Sequence, residues 1–333
     1  MKKMLLAVLA VAGLATACRK DNDDVVCPEP VPASLENLMK RYAPPVQVFE
    51  LTPNQLQTIR TAGGATLYIN PDAFVRANNT VPDGPQKLEF QEIYSPAEMI
   101  LADMPTQTLY GQPLESGGEF NIRVWEGTNR LKLQTSGNNL QLLSPVPPRT
   151  AADTRDSMRL WTWVPPVPPR IDSSGWKAAT RTVTVRTYTI SPTGDTVFTI
   201  NTVTRGIGVP VVGAQYSTTI WPDTLGWLNC DAYLPGAARV TVSVASEAAT
   251  EQRVYLIPHD RNGTFRPYPT PILNQFELYN LPSGLDLTAV VLQVKNGKYY
   301  FGTHRAPVTA SFVYRPVLDE VSEEELVRRI RLL

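Results

Sequence analysis

Thirty prolines spread over 333 residues are the strongest constraint on how this chain folds. Proline removes a backbone donor and clashes with the preceding helical turn, so a chain this rich in it does not build a helical bundle. Short strands, turns and extended connectors accommodate it. The prolines are also clustered. Cys27-Pro28-Glu29-Pro30-Val31-Pro32 marks one dense zone, and Pro145-Val146-Pro147-Pro148-Arg149, echoed by Pro166-Val167-Pro168-Pro169-Arg170, marks another. In an SH3-type setting the repeated motif would be a ligand; here it reads as a stiff connector.

Between these zones the apolar residues alternate. Val46 to Leu51, Leu88-Glu89-Phe90, Phe120/Ile122/Val124, Leu131/Leu133 and Leu140/Leu142 predict short strands, with Gly63-Gly64 turning the chain before Thr66 to Ile69. Downstream, Thr182 to Ile190 and Thr196 to Thr204 flank Ser191-Pro192-Thr193-Gly194-Asp195 as a long hairpin, and Val240/Val242/Val244 alternate. Asn296-Gly297 between Val290–Val294 and Tyr299–Phe301 supplies the two positive φ angles of a type I′ turn. Helices are expected only near the ends. Ser34 opens one carrying Leu35, Leu38, Met39 and Tyr42 before Pro44-Pro45, and Ser322 with Glu325 forms a capping box for a C-terminal one. The expected fold is therefore all-β. Two β-sandwich-like domains, 34–148 and 181–315, are joined by a Pro-rich crossover at 149–180 and followed by a C-terminal helix at 316–333.

The N-terminus carries an address. Met1-Lys2-Lys3 precedes an apolar run from Met4 to Ala17, too short to span a bilayer and the length of a signal-peptide core. Leu14-Ala15-Thr16-Ala17 directly before Cys18 resembles the lipobox of bacterial lipoproteins, although Ala15 stands where that family prefers leucine. The resemblance implies removal of residues 1–17 and a thioether-linked diacylglycerol with palmitate on Cys18. Acylation makes a stable anchor without any transmembrane helix. Arg19-Lys20-Asp21-Asn22-Asp23-Asp24 looks like the acidic export signal of surface-exposed Gram-negative lipoproteins, so the implied location is the outer face of the outer membrane. Residues 18–33 then form an acidic, Pro-rich tether, of which 19–33 reach about 50 Å when stretched. The Asp-rich start lacks the glycine and closing glutamate of an EF-hand, so no metal is assigned to it.

Two further resemblances concern the body of the chain. Gly63-Gly64, Leu67, Ile69-Asn70-Pro71 and Ala73-Phe74 resemble the start of the zona-occludens/netrin-receptor domain, a β-sandwich used for protein contacts, over about 58–145. The His-Phe-Ser and His-Phe-Thr tripeptides at which some members cleave themselves do not occur, so self-cleavage is not implied. Phe90-Gln91-Glu92-Ile93-Tyr94, Met99-Ile100-Leu101, Leu114-Glu115-Ser116-Gly117-Gly118-Glu119-Phe120 and Gly226-Trp227-Leu228-Asn229-Cys230-Asp231 are similar to a group of uncharacterised bacterial surface lipoproteins. That likeness implies architecture and address, and no reaction.

Charge narrows the partners. Lys+Arg and Asp+Glu are 31 each, which speaks against nucleic acid, and two histidines with three cysteines leave little for a zinc site or a disulfide framework. No G-x-S-x-G, H-E-x-x-H, C-x-x-C or P-loop motif occurs. His259-Asp260 reads as a turn, His304 has no acidic neighbour in sequence, and Cys27 and Cys230 are expected to stay unpaired. Trp161 and Trp163 at i and i+2 share a face, either as plugs filling the gap between the sandwiches or, in the glycan reading, as an aromatic platform for a sugar; Trp227, Asn229 and Asp231 form a second one-faced set, either a structural corner that satisfies buried backbone groups or a set that hydrogen-bonds a ligand. Glu89, Glu92, Glu115 and Glu119 are the strand-borne carboxylates from which a glycosidase pair would have to come. The expected function is a non-catalytic surface lipoprotein with a protein-binding or envelope-structural role and no cofactor beyond its covalent lipid. A glycan-binding module of a polysaccharide-uptake system is the second reading, and an envelope hydrolase the third.

Overall fold

The computed structural model describes residues 32–135, 139–166, 174–190, 196–220, 225–236 and 238–333. Cys18, Cys27, the signal segment, nearly all of the tether, the turn 191–195 and most of the second Pro-Val-Pro-Pro-Arg lie outside them. Residues 33–333 cohere as one unit. They are all-β and sandwich-like, with four short helices among the described residues.

The first sheet runs Gln47–Leu51, Gln86–Ile93, Leu114–Glu126, Trp227–Tyr233, Arg159–Val164, Gly175–Ala178, every neighbour antiparallel. The sheet facing it runs Val211–Val212, Gln215–Ile220, Leu140–Pro145, Thr66–Ile69, Gln57–Arg60. Alternation puts Leu88, Phe90, Phe120, Ile122, Leu160, Leu228 and Cys230 of one sheet against Leu67, Ile69, Leu140, Leu142 and Tyr216 of the other in a single apolar core. The sheets thus do not divide where the proline zone suggested. Arg159–Val164 and Gly175–Ala178 are strands inside the first sheet, and Val211–Val212, Gln215–Ile220 and Trp227–Tyr233, expected in the second domain, complete the first sandwich. Prolines bound these strands rather than replace them, and strand pairing between segments far apart in sequence leaves no periodic signal.

The second sandwich starts only at Arg239. Tyr268–Pro269, Gln275–Pro282, Arg239–Ala245 and Val313–Tyr314 form one sheet; Glu251–Pro258, Asp286–Lys295, Lys298–Pro307 and Val317–Val321 form the other. The latter is covered on both faces. Within Asp286–Lys295, Leu287, Ala289 and Val291 enter the core between the two sheets, while Val290, Leu292 and Val294 enter a second core beneath the helices. That is why this strand reads as a nearly continuous apolar run. The helices are Leu35–Tyr42, Pro96–Leu101 and Glu323–Arg331, contributing Leu35, Leu38, Met39, Ile100, Leu326 and Ile330.

Several local expectations are met. Thr180–Ile190 pairs with Thr196–Gly206 as an antiparallel hairpin. Asn296 and Gly297 have φ of 52° and 71°, and Lys295 faces Lys298 across the turn. The 316–333 segment is part strand: Val317–Val321 pairs with Lys298–Pro307 before the helix begins at Glu323. The capping box at Ser322 forms by half. Its hydroxyl accepts from the Glu325 amide at 3.2 Å, but the Glu325 carboxylate turns to Arg328 and Arg329, whose hydrogen bonds hold its pKa down at about 2. A complete box occurs at Ser95 and Glu98, where no helix was expected.

The two-faced strand makes a direct test. Leu292→Ala, emptying a fully buried site under the helices, is expected to lower unfolding free energy by about 3 kcal/mol in a denaturant titration. Val317→Ala, at a side chain 79% exposed, is expected to leave the midpoint unchanged.

Candidate functional site

Leu114–Glu126 and Trp227–Tyr233 pair in register from Asn121 opposite Trp227 to Glu119 opposite Asn229, then slip, so that Asp231 faces Ser116. The extra residue is taken up at Gly117-Gly118. A side chain on Gly117 would meet the Tyr216 ring at 2.7 Å and the Cys230 carbonyl at 2.9 Å. Gly118 has φ of 127°, and a side chain there would meet Phe120 at 2.8 Å. The bulge therefore needs both glycines.

It gathers a polar knot on the face away from the main core. The Asn229 carboxamide donates to the Asp231 carboxylate at 2.6 Å and reaches Glu119 at 3.4 Å, and Ser116 donates to Asn229 Oδ1 at 2.8 Å. The Asn262 side chain donates to the Ser116 carbonyl at 2.8 Å, closing the knot from the second sandwich. Glu119, Asn229 and Asp231 are fully buried, and Glu119 Oε2 and Asp231 Oδ1 have no partner. Burial pushes both acids well above the ordinary carboxylate range. The neighbouring Asp231 charge adds to the shift at Glu119; at Asp231 the nearby Ser116 hydroxyl opposes the shift and the Glu115 charge adds to it.

The tryptophans share this face. Trp161 stands opposite Asn229, and Trp163 opposite Trp176. As expected from their spacing, Trp161 and Trp163 point the same way, but the face is an interior one. Trp161 is 2% exposed, donates from Nε1 to the Asp231 carbonyl at 3.0 Å and meets Tyr233 edge-on at 5.3 Å. Trp176 is fully buried and donates to the Pro105 carbonyl at 2.9 Å, and its backbone pairs with Gln107 and Leu109. Met99, Met104 and Leu114 complete the cover. Half-buried Trp163 and Trp227 pack at its margin. A flat platform made of both Trp161 and Trp163 is thus not open to a ligand, because Trp161 is buried in the same cluster as Trp176, along which the 105–109 stretch pairs; the pair fills a gap, the other reading of its spacing.

The four strand carboxylates are scattered. Glu92 accepts from the Gly63 amide at 2.6 Å, Gln47 at 2.8 Å, and Thr61 and Tyr94 at 2.9 Å each, anchoring the Gly63-Gly64 turn. Glu115 accepts from the Ala151 amide and Thr154 at 2.6 Å and from Arg261 at 2.9 Å. Glu89 faces Arg123 on the sheet surface, and Glu119 is in the knot. His259 pairs with Thr288 at 2.7 Å rather than with Asp260, and burial lowers its pKa. His304 Nδ1 accepts from the Arg315 amide at 2.7 Å. Cys230 is a free thiol in the core, its pKa driven up by burial. Among the described residues no His, Cys, Asp and Glu cluster could hold a metal, and no helix is long and apolar enough to cross a membrane.

The structure adds a feature that residue patterns did not show. A cleft of about 120 Å³ opens where the first sandwich passes into the second, lined by Gln112, Pro113, Tyr233, Leu234, Arg239 and Asn280. These come from three separate stretches, so no motif marks them. Tyr233 is 48% exposed and rests edge-on against buried Trp161. No family model, curated protein or solved structure matches this chain.

The buried acids predict a pH dependence. A carboxyl whose pKa is raised on folding stabilises the fold fully below the unfolded value near 4 and loses that advantage as pH rises toward the folded value. Unfolding free energy of the native chain should therefore fall above about pH 4, at up to ~1.4 kcal/mol per pH unit for each such group. Glu119→Gln and Asp231→Asn should each flatten that decline and be relatively more stable at pH 8, read by denaturant titrations across pH.

Proposed function

We propose that this chain is an exported, lipid-anchored β-sandwich protein of the bacterial outer membrane that binds a partner and does not transform it. The carrying observation is the contrast between its closed and open polar groups. The cleft presents a guanidinium, a phenol and two carboxamides without a carboxylate or a histidine, so it can hold a ligand but offers no acid–base pair. The strand carboxylates singled out in the sequence lie apart from it: Glu119 is sealed in the knot with Asp231, Glu92 and Glu115 hold turns, and Glu89 faces Arg123 on the sheet surface. A hydrolase needs carboxyl groups that reach substrate.

The address rests on the lipobox-like Leu14-Ala15-Thr16-Ala17-Cys18 and the acidic residues after it. The short sequence motifs that resemble surface lipoproteins and a protein-contact sandwich favour a partner-binding or envelope-structural role. The cleft favours a second reading, a glycan-binding module. Its exposed aromatic ring beside polar side chains suits a sugar, and in this reading Tyr233 replaces Trp161 and Trp163 as the platform.

Cys18→Ser tests the anchor. The native chain should take up radiolabelled palmitate and sediment with outer membranes, and the variant should do neither. Equal membrane association and absence of label in both forms would defeat the lipoprotein reading.

A further inference from the structure

The cleft's electrostatics go further than its shape. Arg239 donates to the Leu234 carbonyl at 2.6 Å and to the Asn280 carbonyl at 3.0 Å. Two backbone acceptors fix the guanidinium in place, and neither carries a charge. Among the described residues Arg239 forms no ion pair, and its side chain is exposed to solvent. None of the other lining side chains is charged.

The walls around it are equally well fixed. Arg239–Ala245 pairs with Gln275–Pro282, and the register slips between Val240 and Val242 because Tyr279-Asn280 bulge out of the partner strand. Asn280 adopts φ of 61°, which aims its carbonyl at Arg239. On the opposite wall the 108–112 turn is closed by the Thr108 hydroxyl, which accepts from the Tyr110 and Gln112 amides at 3.2 and 3.0 Å. This turn sets Gln112 in the lining and leaves Tyr110 86% exposed at its tip. Tyr233 is fixed from behind by Trp161. A site whose groups are already ordered loses little entropy on binding.

We infer that this cleft binds the carboxylate-bearing sugar of an acidic polysaccharide, an inference that rests on the glycan reading above. The planar guanidinium matches a carboxylate through paired hydrogen bonds. The Tyr233 ring offers an apolar face to the C–H side of a pyranose, and Gln112 and Asn280 present donors and acceptors for its hydroxyls. The volume suits one ring rather than a long bound chain.

The test titrates the full lipidated chain in detergent with oligogalacturonate, with a neutral galactose oligomer of equal length, and with an acidic peptide of equal charge. The acidic sugar should bind at least ten-fold tighter than either of the others, and its affinity should fall with added salt. Arg239→Gln and Tyr233→Ala should each weaken it ten-fold or more, with Tyr233→Phe retaining binding. Lys87→Gln, which removes a like charge from an exposed site elsewhere, should leave it unchanged. Near-ultraviolet circular dichroism matched to the native chain establishes that each variant is folded. Equal affinity for the neutral oligomer would overturn this inference and leave the glycan reading standing. Binding of no sugar would overturn both, and peptide binding equal to sugar binding would return the cleft to a protein partner. Indifference to Arg239→Gln would also defeat it.

Discussion

The pairing of Leu114–Glu126 with Trp227–Tyr233 holds the rest of the molecule in register. It joins segments about a hundred residues apart in the middle of the first sheet. One side of this pair supplies Phe120, Ile122, Leu228 and Cys230 to the main core. The other side carries the Glu119–Asn229–Asp231 knot and receives Trp161 from the next strand. Tyr233, at the end of the same strand, becomes a wall of the cleft. The slip at Gly117-Gly118 lets all of these coexist, since an unbroken ladder would exchange the faces of the residues beyond it.

Charge is handled in opposite ways on the two sides of the Trp227–Tyr233 strand. Inside, two acids share the Asn229 carboxamide, and burial raises the pKa of both. Outside, Arg239 is anchored by neutral carbonyls and left uncompensated. The interior arrangement trades stability at higher pH for hydrogen bonds that tie the two sandwiches, through Asn262 and Ser116. The exterior one leaves a positive charge at a fixed, exposed place.

Much of the local structure was legible in the residues. Ser34 and the Leu35/Leu38/Met39 stripe, the Asn296-Gly297 turn, the alternation at Phe120 to Val124 and the long threonine-rich hairpin depend on neighbours a few positions apart, and they fold as their patterns say. The Pro96–Leu101 helix was missed because one and a half turns are too short for a periodic signal, although Ser95 and Glu98 stood at capping-box spacing. The crossover at 149–180 was misplaced because proline density marks chain stiffness, while sheet membership depends on which distant strand lies alongside.

The one-faced sets Trp161/Trp163 and Trp227/Asn229/Asp231 follow from a side-chain period of two, and the structure does bring them to one face of one sheet. Whether that face meets water was decided by the 105–109 stretch pairing along Trp176 and by Asn262 closing the knot. The cleft at Tyr233 and Arg239 depended wholly on tertiary structure. The sequence by itself determined the all-β character, the Asn296-Gly297 turn and the helix starts at Ser34 and Ser322. Burial, register between remote strands and the meeting of three separate segments belong to the fold alone, because each depends on contacts whose partners are not neighbours in the chain.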